Sequence, residues 1–112
     1  TLRRQRQMCI RDRQVALEKA FFDAATTNRI RLIPAGPAFF YVNQNFPEIN
    51  LYTNDNRHPS PAGTYLAALM VFATLTDKSP IGNSYTMGLD EDAAKTLQEV
   101  AWLTHQNFQQ KN

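Results

Sequence analysis

The sequence predicts an α/β domain that is mostly helical with one short strand, and three observations carry that prediction. Residues 15–25 show helical periodicity and are followed at once by an alternating segment, 29–33. Residues 65–73 are apolar at every position behind a Ser-Pro start signal. Residues 90–109 repeat apolar side chains at helical spacing behind an acidic first turn. A helix followed by a strand is half of a β-α-β unit, although one strand by itself makes no sheet.

The first predicted helix places Val15, Ala16, Ala20, Phe21, Phe22 and Ala24 between Glu18, Lys19 and Asp23, and Asn28 ends it. In 29–33, Ile30, Leu32 and Ile33 are set against Arg29 and Arg31. Pro34 has no amide to give a ladder, which suits a strand at a sheet edge. A short helix over 37–44 carries Phe39, Phe40 and Tyr41 as core or cleft wall, and an Asn-rich stretch broken by Pro47 leads to Asn54. Ser60 is a good N-cap and Pro61 suits the first helical position, so the next helix starts there. Its apolar run, 65–73, falls short of the ~20 residues that span a bilayer. Being apolar all round, it reads as a helix buried on several sides, with exposed apolar surface wherever its cover is missing. Residues 77–87 form a loop rich in Ser, Pro, Gly and Asn. The closing helix turns Ala93, Ala94, Leu97, Val100, Ala101, Leu103 and Phe108 to one face, with Trp102 a core aromatic and His105 a surface histidine.

Residues 3–13, Arg-Arg-Gln-Arg-Gln-Met-Cys-Ile-Arg-Asp-Arg, back-translate in a single frame into the transposase-borne adaptor used to build sequencing libraries. Residues 1–13 are therefore expected to be a non-native, adaptor-derived segment, with the genuine domain at 14–112. The competing reading is a basic arm for nucleic acid, which requires an eleven-codon coincidence. Codons in the DNA that are synonymous with the adaptor but different from it would reverse the choice. Without this segment Lys plus Arg falls from 12 to 7 and Asp plus Glu from 10 to 9, taking the formal charge from +2 to −2. The apparent basicity then gives no warrant for a nucleic-acid or membrane partner. Cys9 is the one cysteine, so disulfides and cysteine-ligated metal are also set aside.

The chemistry concentrates in Asn54-Asp55-Asn56-Arg57-His58-Pro59-Ser60-Pro61-Ala62-Gly63-Thr64-Tyr65-Leu66-Ala67-Ala68. A carboxylate stands three residues before an imidazole in a loop that opens a helix, and Pro59 holds the backbone of His58 extended. Gly63 leaves room in the first turn for a neighbouring backbone, as a helix docked on a sheet edge would need. The block resembles the last sequence block of SGNH hydrolases, also called GDSL esterases and lipases, and 31–38, Arg-Leu-Ile-Pro-Ala-Gly-Pro-Ala, resembles their final strand and turn.

The resemblance implies the C-terminal part of a three-layer, flavodoxin-like α/β fold with a parallel sheet. It implies serine ester hydrolysis on a small lipid or carbohydrate ester, with Asp55 as the acid that orients the base and His58 as the general base. It places the nucleophile and the oxyanion-hole Gly and Asn in earlier blocks, outside this chain, which alone is expected to be inactive. Many members of that family are exported. Asn56 stands where relatives commonly carry Gly, and Arg57 adds a charge beside the imidazole; both bear on substrate class. Ser60 is engaged as a cap, and Ser79 and Ser84 lack a strand-to-helix elbow. No cofactor is implied, since Asp55, His58 and His105 make a thin metal set and no glycine-rich phosphate loop occurs. The alternative is a non-enzymatic helical protein-binding module built on Phe39, Phe40, Tyr41 and the 65–73 helix.

Overall fold

The structure, a computed structural model, describes residues 2–55 and 57–110, with side chains described for 11–55 and 57–109. It contains four helices: α1 (Leu2–Asn28), α2 (Ala35–Asn45), α3 (Pro61–Thr76) and α4 (Glu91–Gln110). No strand occurs among the described residues, and the β-type pairing they make is an isolated antiparallel bridge between Tyr52 and Pro59. The predicted α/β class, with its three-layer sheet, is thereby overturned: the described chain is all-helical.

The reason is visible at residues 29–34, the segment expected to be a strand. Arg29 takes a left-handed conformation with φ 56°. Its amide donates to the Thr26 carbonyl (3.3 Å) and the Ile30 amide to the Ala25 carbonyl (3.0 Å). This is the paired bonding of a Schellman cap, so Arg29 and Ile30 spend their amides closing α1. Pro34, at φ −80° and ψ 59°, then forms an inverse γ-turn in which the Ala35 amide donates to the Ile33 carbonyl (2.8 Å). An alternating pattern without a partner strand stays a connector. The α1 helix runs on through 2–13 because that stretch lacks Gly and Pro and is rich in Arg, Gln and other good helix formers.

By contact the chain divides into two compact units, Thr1–Leu32 and Ile33–Asn112. Within the second, α2, α3 and α4 each pack on the other two. Their core is Ala38 and Val42 of α2, Leu51 of the following loop, Tyr65, Leu66, Leu69 and Met70 of α3, and Ala94, Leu97, Val100 and Ala101 of α4. Helix α2 begins two residues earlier than predicted, with Gly36 and Pro37 in its first turn, where a missing amide leaves no bond unmade. Helix α4 begins behind Asp90, whose Oδ2 accepts from the Ala93 amide (3.4 Å).

The apolar run of α3 is buried on one side only. Tyr65, Leu66, Leu69, Met70 and Ala73 face the core, while Ala68, Val71, Phe72 and Leu75, spaced as one helical stripe, are exposed. The surface role expected of His105 is also corrected. Its ring is buried, its Nε2 lies 2.8 Å from Asp77 Oδ1, and Trp102 stands 5.5 Å away between ring centroids. Asp77 closes α3 in a left-handed conformation, φ 56°, its amide donating to the Ala73 carbonyl (2.9 Å). Its carboxylate also accepts from Gln109 Nε2 (3.0 Å), so the pair fastens the end of α3 to α4.

Candidate functional site

The site is a small hairpin-like loop hung from one core residue. Leu51 is fully buried. Its carbonyl accepts from the Ser60 amide (2.8 Å), and the Thr53 amide donates to the His58 carbonyl (2.8 Å) on either side of the Tyr52–Pro59 bridge. Pro59 sits where no amide is required, so the missing N–H costs no ladder bond. Ser60 closes the loop and opens α3. Its Oγ donates to the Asn50 carbonyl (2.6 Å) and accepts from the Gly63 amide (3.2 Å), with φ −71° and ψ 174° as an N-cap requires. Gly63 is needed for contact: a Cβ there would run into the Leu51 carbonyl oxygen. The close backbone approach expected at Gly63 is therefore present, but the approaching backbone is this loop and not a sheet edge.

Side chains alternate across a paired strand, so Tyr52 and Pro59 share one face of the loop and Thr53 and His58 the other. Tyr52 packs on the core side, its ring 6.0 Å from that of Phe39. Phe39 of α2 thus supports the back of the loop, and the imidazole stands on the solvent face.

There Asp55 is the hub. Its Oδ1 accepts from Thr53 Oγ1 (2.6 Å), from the Arg57 amide (2.9 Å) and from the His58 amide (3.2 Å). Its Oδ2 lies 2.6 Å from His58 Nδ1. The Thr53 hydroxyl foremost, then the Arg57 amide, the His58 ring and the His58 amide, hold the Asp55 carboxyl well below the ordinary carboxylate range, against a slight opposing effect of burial. A carboxylate that keeps its charge only accepts, so Nδ1 must carry the hydrogen. The neutral ring therefore presents its lone pair at Nε2. The His58 side chain is 75% exposed, and among the described residues no hydrogen bond engages Nε2.

Comparison with protein-family models, with curated proteins and with solved structures gives no match. What the site can do rests on its own geometry.

The two predicted site residues, Asp55 and His58, are brought together. Asn56 lies outside the described residues, and Arg57 is exposed beside the imidazole. His105 cannot join them on an ion, because it is bound to Asp77 beyond the C-terminal end of α3, whereas His58 precedes the N-terminal end. The 16 residues of that helix set the two roughly 24 Å apart. Among the described residues no three His, Cys, Asp or Glu side chains form a metal-binding group.

No described serine faces His58. Ser60 is tied to Asn50 and Gly63, and Ser79 Oγ accepts from the Ile81 amide (3.2 Å). Ser84 lines an open cavity of about 370 Å³ with Gly82, Asn83, Glu91, Lys95 and Gln98. The rim of that cavity is pinned by a buried clasp. The Tyr65 hydroxyl donates to the Tyr85 carbonyl (2.7 Å), and Gln98 Nε2 donates to the Tyr65 hydroxyl (2.9 Å) and the Asn83 carbonyl (3.1 Å). Sequence reasoning missed Thr53, whose signal is only a hydroxyl two residues before the acid. It also missed the clasp and the Asp77–His105 pair, whose members are far apart in the chain.

No helix among the described residues is long and apolar enough to cross a membrane.

Proposed function

We propose that Asp55 and His58 are the acid and the general base of a serine ester hydrolase of SGNH type, acting on a serine hydroxyl supplied from outside the described residues. The observation that carries this reading is the 2.6 Å contact of Asp55 Oδ2 with His58 Nδ1, combined with an unengaged Nε2. Four hydrogen bonds fix the carboxylate, so the imidazole is aimed by a rigid partner. In the reaction Nε2 takes the serine proton as oxygen attacks the ester carbonyl, and Asp55 stabilises the resulting imidazolium without accepting the proton. Nε2 then returns the proton to the leaving alcohol. A water activated by the same nitrogen releases the acyl group. The substrate class is a small lipid or carbohydrate ester.

The test joins residues 14–112 to the sequence encoded upstream and assays a short-chain activated ester. The His58→Ala variant is expected to lose turnover by about 10³ to 10⁶, because an unassisted serine hydroxyl is a poor nucleophile. Asp55→Asn is expected to lose about 10² to 10⁴, and the double variant little more than His58→Ala, since the two act as one unit. Near-normal turnover in folded His58→Ala ends the reading.

One observation favours a second reading, a non-enzymatic protein-binding module: the exposed stripe Ala68, Val71, Phe72 and Leu75. The surface differs from the one expected, because most of 65–73 is committed to the core. A module of this kind is soluble and monodisperse alone, which light scattering on the 112-residue chain measures directly.

A further inference from the structure

We propose that His58 is an acyl acceptor in its own right, so that this chain turns over activated aryl esters without any serine. Three observations combine. The Nδ1 hydrogen is held by Asp55 Oδ2 at 2.6 Å, which fixes the lone pair of the neutral ring at Nε2. The side chain is 75% exposed on the solvent face of the loop, so a substrate carbonyl reaches Nε2 without any rearrangement of the fold. No hydrogen bond from the described residues engages that nitrogen. The second imidazole has the opposite setting, since the His105 side chain is 5% exposed and its Nε2 is held by Asp77.

The chemistry is a two-step exchange. The Nε2 lone pair adds to the ester carbonyl carbon, the carbon–oxygen bond to the aryl group breaks, and the aryloxide leaves with the electron pair. An acyl group then sits on Nε2 of a cationic ring whose Nδ1 hydrogen still faces the Asp55 carboxylate, which offsets the new charge. Water adds to the acyl carbon and gives up one proton to solvent, and the carbon–nitrogen bond breaks with its pair returning to Nε2, restoring the neutral ring. The carboxylic acid departs and yields a second proton to solvent. Nothing is oxidised or reduced. The substrate class is limited to acyl donors with leaving groups as weakly basic as an aryloxide, because the tetrahedral adduct expels its better leaving group and an imidazole leaves ahead of a more basic alkoxide. Exposed lysines compete for the same donors but form stable amides, so repeated turnover separates the imidazole from them.

The experiment incubates the intact 112-residue chain with excess 4-nitrophenyl acetate, follows release of 4-nitrophenolate past several equivalents, and maps acetylated peptides after an acid quench. The expected result is continued release, acetyl on His58 but not on His105, and loss of most of the sustained release in His58→Ala with helix content retained. A second variant, His58→Gln, keeps a polar side chain in the loop and is expected to lose the same release. Equal sustained release from all three chains, or acetyl confined to lysines, overturns the inference. Absence of release from this chain, followed by hydrolysis once a serine-bearing upstream segment is joined, also overturns it while leaving the proposed triad standing.

Discussion

Asp55 shows how much one side chain organises. Its folded-state carboxyl is held below the ordinary range, first by the Thr53 hydroxyl and then by the amide and ring bonds. A depressed carboxylate contributes stability that is fully present above the unfolded value of about 3.9 and lost as pH falls through the folded value. The loop is therefore expected to keep its hydrogen bonds down through about pH 4 and to release them only in stronger acid. Amide resonances of Arg57 and His58 followed by NMR check this, and a transition centred in the ordinary carboxylate range contradicts it. Thr53→Val removes the largest cause at nearly constant shape, so the same transition should move up in pH. The Asp55–His58 pair was legible in the sequence because all of its geometry is local. The two side chains are three positions apart, Pro59 restricts the second, and Ser60 announces the helix behind them. The Asp77–His105 bond spans 28 positions, and nothing in the sequence near either residue signals it.

At the scale of the element, α3 was the most legible helix because its start is written in residues with a physical reason to be there. Ser60 supplies the cap oxygen, Pro61 needs no amide, and Gly63 makes room for Leu51. Since the Ser60 hydroxyl also donates to the Asn50 carbonyl, Ser60→Ala removes two bonds. The expected cost is about 1 to 2 kcal/mol, read from the urea midpoint. Ester turnover in the joined chain should persist, because Ser60 touches neither ring nitrogen of His58. A loss of turnover as large as that of His58→Ala would contradict the assigned cap role. The segment 29–33 misled for an equally physical reason. Alternation is a property of side chains, whereas a strand needs amides and carbonyls paired with a neighbour, and here the Arg29 and Ile30 amides are committed to the end of α1. The 65–73 run misled more mildly: its apolar content gave a helix correctly, but content alone does not say which side is covered, and Ala68, Val71 and Phe72 face outward.

For the whole molecule, the apolar positions of α2, α3 and α4 were legible as helix faces, and the closing of those faces on one another was not. An apolar face fits a sheet as well as another helix, so the pattern that builds this core was also compatible with the α/β class that the structure overturned. The core that did form draws all of its buried residues from Ala38 to Ala101, and its partly buried flank begins at Ile33. This predicts that a chain truncated to 33–112, within the size at which domains fold alone, unfolds in a single cooperative transition with strong helical circular dichroism. Leu97 is fully buried at the centre of that cluster. Leu97→Ala in the truncated chain should therefore cost about 2 to 5 kcal/mol, enough to consume much of the stability of so small a domain. Leu103, on the same helix but exposed, is the internal comparison, and its change to Ala should stay within about 0.5 kcal/mol. A broad, non-cooperative melt of the truncated chain, or equal effects at Leu97 and Leu103, would show that the three-helix core does not stand by itself. It would then require further chain to complete the packing, and the exposed stripe of Val71, Phe72 and Leu75 is the surface on which that chain would have to act.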